Sequence, residues 1–113
     1  MSKYQRENGK RGERELANLL KSYGYDCHRG QQYCGINGNA DVVGLPEIYI
    51  ECKRVERISI DAAMEQAINN AQESQCYPTV FHRKDRRNWL VTMRFIDWIR
   101  LYKVYLYSLK NNS

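Results

Sequence analysis

Polar and apolar positions divide the chain into eight alternating segments. From Arg11 to about Tyr23, Leu16, Leu19, Leu20 and Tyr23 recur at i, i+3, i+4, i+7, the spacing of an amphipathic helix, and Gly24 supplies its stop. Tyr25 to Arg29 reads as a short strand, and the glycine-rich stretch from Gly30 to Asn39 as a loop without period. Asp41 then opens an apolar run that a turn from Gly44 to Glu47 separates from a second run, Ile48-Tyr49-Ile50. Two such runs around a Leu-Pro turn segment predict a β-hairpin ending near Arg54. Ser59 can cap a second helix, whose Ile60, Ala63, Met64, Ala67, Ile68 and Ala71 share one face. That alanine-rich face suits a helix lying close against a sheet. Thr79 to His82 and Trp89 to Met93 predict two more strands, and about Arg94 to Ser108 a helix apolar around most of its circumference. Residues 1–10 are polar and predict a flexible basic arm. The order α-β-β-β-α-β-β-α predicts an α/β fold, a mixed sheet of about five strands flanked by helices.

At 113 residues the chain has room for one core and is expected to form a single domain, 1–113. Its formal charge of +5 suits a polyanionic partner. No apolar run approaches the roughly 20 residues of a membrane span, and the N-terminus is basic rather than signal-like, so a cytoplasmic protein with no membrane partner is expected. The four cysteines, Cys27, Cys34, Cys52 and Cys76, lack a C-x-x-C pair, and reduced, partly buried thiols are the expectation.

Chemistry concentrates in the predicted hairpin. Strand side chains alternate faces, so Glu51 and Lys53 point one way while Ile48, Ile50 and Cys52 point the other, into a core. Asp41 heads the preceding strand. Two carboxylates and an amine gathered across a hairpin are what a metal-dependent phosphodiesterase needs: the carboxylates hold a hard divalent cation, and the lysine orients a water. On the first helix Glu13 lies roughly 60° from the centre of the apolar stripe and can reach towards the sheet, whereas Glu15, roughly 100° away, points more towards solvent. Three converging carboxylates repel one another unless a cation sits between them.

The ordered set Gly12-Glu13-Arg14-Glu15-Leu16, Gly24-Tyr25, Arg29, Ala40-Asp41-Val42-Val43-Gly44 and Ile50-Glu51-Cys52-Lys53 resembles the PD-(D/E)XK nuclease superfamily. Within it the first half of the chain looks most like archaeal and phage Holliday-junction resolvases. The resemblance implies a restriction-endonuclease-like fold, Glu13, Asp41 and Glu51 as acidic metal-site residues, and Lys53 as the catalytic lysine. It also implies that Arg29 contacts the DNA backbone and that the protein is a homodimer. Ala40 stands where the motif is named for proline, and the loop 30–35 lacks the serine such resolvases often carry there.

The expected activity is therefore Mg²⁺-dependent hydrolysis of phosphodiesters in branched DNA, with Mn²⁺ able to substitute. Asp41, Glu51 and the backbone carbonyl of Cys52 are expected to hold the metal, with Glu13 as a direct or water-mediated ligand. Phosphate contacts are expected from Lys10, Arg11, Arg14, Arg29, Arg54 and Arg57, and from the turn residues Arg83, Lys84, Arg86 and Arg87. The last helix, with Trp98, Tyr102, Tyr105 and Leu106 around its surface, must be either sandwiched or a dimer interface. Flap- or duplex-cutting nucleases, and a non-catalytic DNA-binding module of the same fold, are the alternatives.

Overall fold

The computed structural model describes residues 3–30 and 40–112, in the order α1 (Lys3–Ser22), β1 (His28–Arg29), β2 (Val42–Val43), β3 (Ile48–Arg54), α2 (Ile60–Ala71), β4 (Tyr77–Arg83), β5 (Leu90–Met93), α3 (Phe95–Asn111). The five strands form one sheet in the order β1-β2-β3-β4-β5. All neighbours are antiparallel except β3 and β4, whose parallel pairing spans seven residue pairs, from Ile48↔Tyr77 to Arg54↔Arg83. A parallel pair needs a crossover, and α2 is that crossover.

The sheet is covered on both faces. Ile50, its paired neighbour Val42 and the β4 residue Phe81 meet Leu16, Ala17 and Cys27 on the α1 side. Tyr49 packs with Ala40 and Ala71, and Val80 with Ala63 and Ala67, on the α2 side. The expected alanine face of α2 is thus buried, and Ser59 caps the helix by accepting a hydrogen bond from the Ala62 amide at 3.3 Å. With no longer side chain in the way, helix and sheet approach closely.

Helix α1 departs from expectation in two respects. It begins at Lys3, so residues 3–10 are helical instead of the flexible arm predicted for 1–10. Its buried face also holds Gly12, Leu16 and Ala17, while Leu19 and Tyr23 are exposed. Leucine spacing alone mistook the stripe because glycine and alanine carry little hydrophobic signal. Yet Gly12 is where the helix touches β3: a Cβ there would come within 2.8 Å of the Arg54 Cβ. Gly24, at φ +98°, ends the helix as expected, and Tyr25 N–H returns to the Leu20 carbonyl at 3.2 Å.

Between β2 and β3 the turn uses left-handed backbone at Gly44 (φ +109°) and Glu47 (φ +70°). Gly44 also passes against the Asp26 and Cys27 backbone, leaving no room for a side chain. Strand β1 is shorter than predicted, because Tyr25 to Cys27 lie outside the ladder; the loop 31–39, with Cys34, lies outside the described residues. Cys27, Cys52 and Cys76 are free thiols.

Helix α3 leaves the body of the molecule. Asp97 is its only buried residue, held by the Arg94 Nε at 2.8 Å. Phe95, Trp98, Tyr102 and Tyr105 form a continuous ladder of rings along it, with Trp98 and Tyr102 stacked at 5.1 Å. Among the described residues nothing covers this helix, so it is not sandwiched by them. No helix among the described residues is long and apolar enough to cross a membrane.

Candidate active site

Strand β3 carries the centre of the site. Glu51 and Lys53 project towards α2, as their alternation predicts, and Glu51 is 2% exposed. Only one residue pair, Val42↔Ile50, joins β2 to β3. Beyond it the ladder continues through a side chain: Asp41 N–H donates to the Ile50 carbonyl at 3.0 Å, and Cys52 N–H donates to Asp41 Oδ2 at 2.8 Å. The Asp41 carboxylate therefore occupies the rung at which β2 has ended, close enough to Glu51 for their charges to repel. Lys53 Nζ lies 3.7 Å from Glu51 Oε2 and donates to Gln66 Oε1 of α2 at 3.2 Å.

The electrostatics are those of two acids forced together. Burial raises the Asp41 carboxyl, and the Cys52 amide partly offsets this. Burial, followed by the Asp41 charge, pushes Glu51 up to about 8, with Lys53 acting against both. Glu51 Oε1 is buried with no hydrogen-bond partner. A buried carboxylate oxygen without a partner is costly, and a cation removes the cost. Strand period places the Cys52 carbonyl on the same strand edge as the Ile50 carbonyl, facing Asp41. Asp41, Glu51 and this carbonyl form an all-oxygen donor set of the kind that Mg²⁺ or Mn²⁺ takes.

Glu13 does not join that set directly. It stands on the α1 side of the sheet, where Arg29 Nε donates to its Oε1 at 2.9 Å. Burial raises its carboxyl, the Arg29 bond works against the rise, and the Asp41 charge adds to it. Among the described residues no three His, Cys, Asp or Glu are gathered closely enough to hold one metal ion. The expected three-carboxylate cluster is therefore a pair with a neighbour, because the guanidinium draws Glu13 to itself.

Two further expectations change. Glu15 is not turned to solvent but accepts from Arg83 Nε and lies 3.5 Å from Arg54 Nε, which lowers its pKa. Arg54, expected on DNA, is 15% exposed in its side chain and also pairs with Asp85 at 3.2 Å. Its charge is neutralised within the fold, and so is that of Arg83, which also reaches the Lys84 and Arg87 carbonyls and lies over the Trp89 ring. Lys84, Arg86 and Arg87 stay exposed in the β4–β5 turn, at the sheet end where β3 also finishes. Lys10, Arg11 and Arg14 are exposed on α1, and Arg57 after β3. Gln66, which sequence reasoning missed, is a polar residue beside the buried Ala67 on a helix facing Lys53; that position was its only signal.

The sequence matches the family described as "Phage putative PDDEXK endonuclease" over residues 4–111. The chain belongs to this family. Asp41, Glu51 and Lys53, the residues brought together here, lie within the matched span. No curated protein matches the sequence. Among solved structures, the fold is similar to that of Hjc from Archaeoglobus fulgidus, a Holliday junction resolvase from an archaeal hyperthermophile, with a TM-score of 0.56 and 24% identity. The match covers 76% of this chain and 72% of that one. The restriction-endonuclease-like fold expected from the motifs is thus the one observed, and its family is one of nucleases that use divalent metals.

Proposed function

We propose that this member of the phage PDDEXK endonuclease family is a Mg²⁺-dependent nuclease that cuts branched DNA, with Mn²⁺ able to substitute. The observation that carries the metal site is the unpartnered, buried Glu51 Oε1 beside Asp41. When bound, a divalent ion supplies polarisation of the phosphate and a more acidic water. The chain's own residues do the rest. Asp41 is fixed by the Cys52 amide, so its free oxygen has a defined direction. Lys53, steadied by Gln66 and Glu51, presents its ammonium where a water and the phosphate oxygens would meet, and so offsets charge gathering on phosphorus. Glu13 acts through a water or moves in as Arg29 takes up a DNA phosphate.

Branched DNA is favoured over duplex on two grounds. No sequence-reading motif such as a zinc finger occurs among the described residues, so recognition by shape is the natural mode. Its fold is that of a protein named as a Holliday junction resolvase. We also propose a homodimer through α3. Phe95, Trp98, Leu101, Tyr102, Tyr105, Leu106 and Leu109 are all exposed along that helix, and contiguous apolar surface of this kind marks an interface. A two-fold dimer would present two sites to a two-fold junction. Such an enzyme would work in the cytoplasm of an infected cell.

The test is cleavage of a labelled immobile four-way junction in Mg²⁺, beside linear duplex and a flap, with Asp41→Asn as control. Paired symmetric cuts in the junction alone, lost in Asp41→Asn, support the reading. Equal cutting of all substrates replaces it with a structure-tolerant nuclease. Binding without cleavage in Mg²⁺ or Mn²⁺ replaces it with a binding module.

A further inference from the structure

A cavity of about 420 Å³ opens between α1 and β1. Its helix wall is Arg14, Ala17, Asn18 and Lys21, and its strand wall is His28, Arg29 and Gly30. The four helix residues stand at i, i+3, i+4 and i+7, one stripe of α1, which Lys10 extends by a turn. Ala17 is buried and forms a smooth floor between the polar side chains. Gly30 closes the far end, where an added Cβ would strike the Ala40 carbonyl.

Three features mark this groove as more than solvated surface. It is lined by three cationic side chains, an amide and an imidazole, with no carboxylate among them. Among the described residues neither Arg14 nor Lys21 forms an ion pair, whereas Arg54 and Arg83 are neutralised by Glu15. Finally, Arg29 lines the groove, bonds Glu13 at 2.9 Å and bears electrostatically on Asp41. The groove thus runs up to the sheet edge at which Asp41 lies.

We propose that the α1–β1 groove is a backbone subsite, holding phosphates of the DNA strand that enters the Asp41–Glu51 site. This rests on the nuclease reading and adds where the substrate strand lies. Arg14 and Lys21 are about 10 Å apart along the helix, so both can lie against phosphates of one strand. The stripe therefore contacts more than one phosphate of that strand, and Asn18 and His28 supply further polar groups between the charges. Among the described residues no Phe, Tyr or Trp lines the groove, so it offers no broad stacking platform for bases and its contacts are blind to sequence.

The test is fluorescence-anisotropy binding of a labelled duplex in EDTA, from about 50 to 200 mM salt, the range over which phosphate contacts dominate. Lys21→Gln, Lys21→Arg and, as an outside control, Lys103→Gln are compared with the wild-type protein, alongside cleavage in Mg²⁺. Lys21→Gln is expected to weaken binding several-fold and to reduce the log K against log salt slope by about 0.9. Lys21→Arg is expected to restore both, and Lys103→Gln to change neither. If Lys21→Gln and Lys103→Gln behave alike while the wild type cuts DNA, the groove is overturned and the nuclease stands. If the slope falls but nothing is cut in Mg²⁺ or Mn²⁺, the nuclease reading fails and the groove stands. Absence of any DNA binding overturns both.

Discussion

Arg29 holds the Glu13 carboxylate at 2.9 Å from a neighbouring strand, so an acid of α1 and a cation of β1 neutralise each other beside Asp41. Glu13 is mostly buried and Arg29 only partly so, which makes the acid the more dependent partner. Arg29→Ala leaves a desolvated carboxylate without its counter-charge. Urea titration is expected to show a loss of about 1–2 kcal/mol, with Arg29→Lys recovering part of it. An unchanged midpoint in Arg29→Ala would show that the pair contributes nothing to the fold.

The Asp41–Glu51 pair sets a pH dependence with a definite sign. Glu51 has a folded pKa of about 8 against a reference of 4.5, so between those values the folded protein binds more protons than the unfolded chain. Stability from this group is complete below pH 4.5, declines as pH rises, and is lost once pH passes about 8. Without metal, Tm is expected to fall between pH 5 and pH 9. Mg²⁺ should raise Tm more at the higher pH, and Glu51→Gln should flatten both responses. A metal-free Tm that rises over this interval would contradict the buried pair.

Glu15 joins three elements by accepting from Arg83 and approaching Arg54. Glu15→Ala leaves Arg83 without its carboxylate, and Arg54 with Asp85 alone, where α1 meets the ends of β3 and β4. A destabilisation of about 1–2 kcal/mol is expected, with cleavage at saturating substrate unchanged. Loss of turnover in a folded Glu15→Ala protein would move this residue into the chemistry.

Gln66 orients Lys53 without touching the carboxylates. Gln66→Ala is expected to lower single-turnover cleavage roughly 3- to 10-fold while leaving DNA affinity intact, because a misplaced ammonium stabilises charge less well. Gln66→Glu keeps an acceptor and should cut faster than Gln66→Ala. Equal rates for wild type and Gln66→Ala would remove Gln66 from the site.

Exposure of the ring ladder on α3 predicts self-association. Sedimentation of the wild-type protein should give a dimer at micromolar concentration, and Trp98→Glu with Tyr102→Glu a folded monomer. A wild-type protein that stays monomeric ends the dimer proposal.

Much of this architecture was legible because its strongest signals are local. The D…E-x-K spacing singled out Asp41, Glu51 and Lys53 as candidates, and alternation along β3 put Glu51 and Lys53 on one face. The alanine face of α2 announced a close helix–sheet contact. Less visible were contacts made across the fold by residues that look ordinary in sequence. Nothing near Glu15 indicates that Arg83, 68 residues away, will reach it. Arg54 resembles any surface arginine until Gly12 draws α1 against it. Lys21 and His28 share a groove only because Gly24 turns the chain back between them.

The uneven ladder of the sheet has a kinetic consequence. Strand β3 is clamped to β4 by seven residue pairs, but only one joins it to β2. Glu51 therefore rides on the most firmly held strand and Asp41 on one of the most lightly held. Amide exchange should run slowest in β3 and β4 and much faster at Val42 and Val43. The two acids straddle a seam between a rigid half and a pliable half, so their separation can breathe as DNA enters and product leaves without the core reopening.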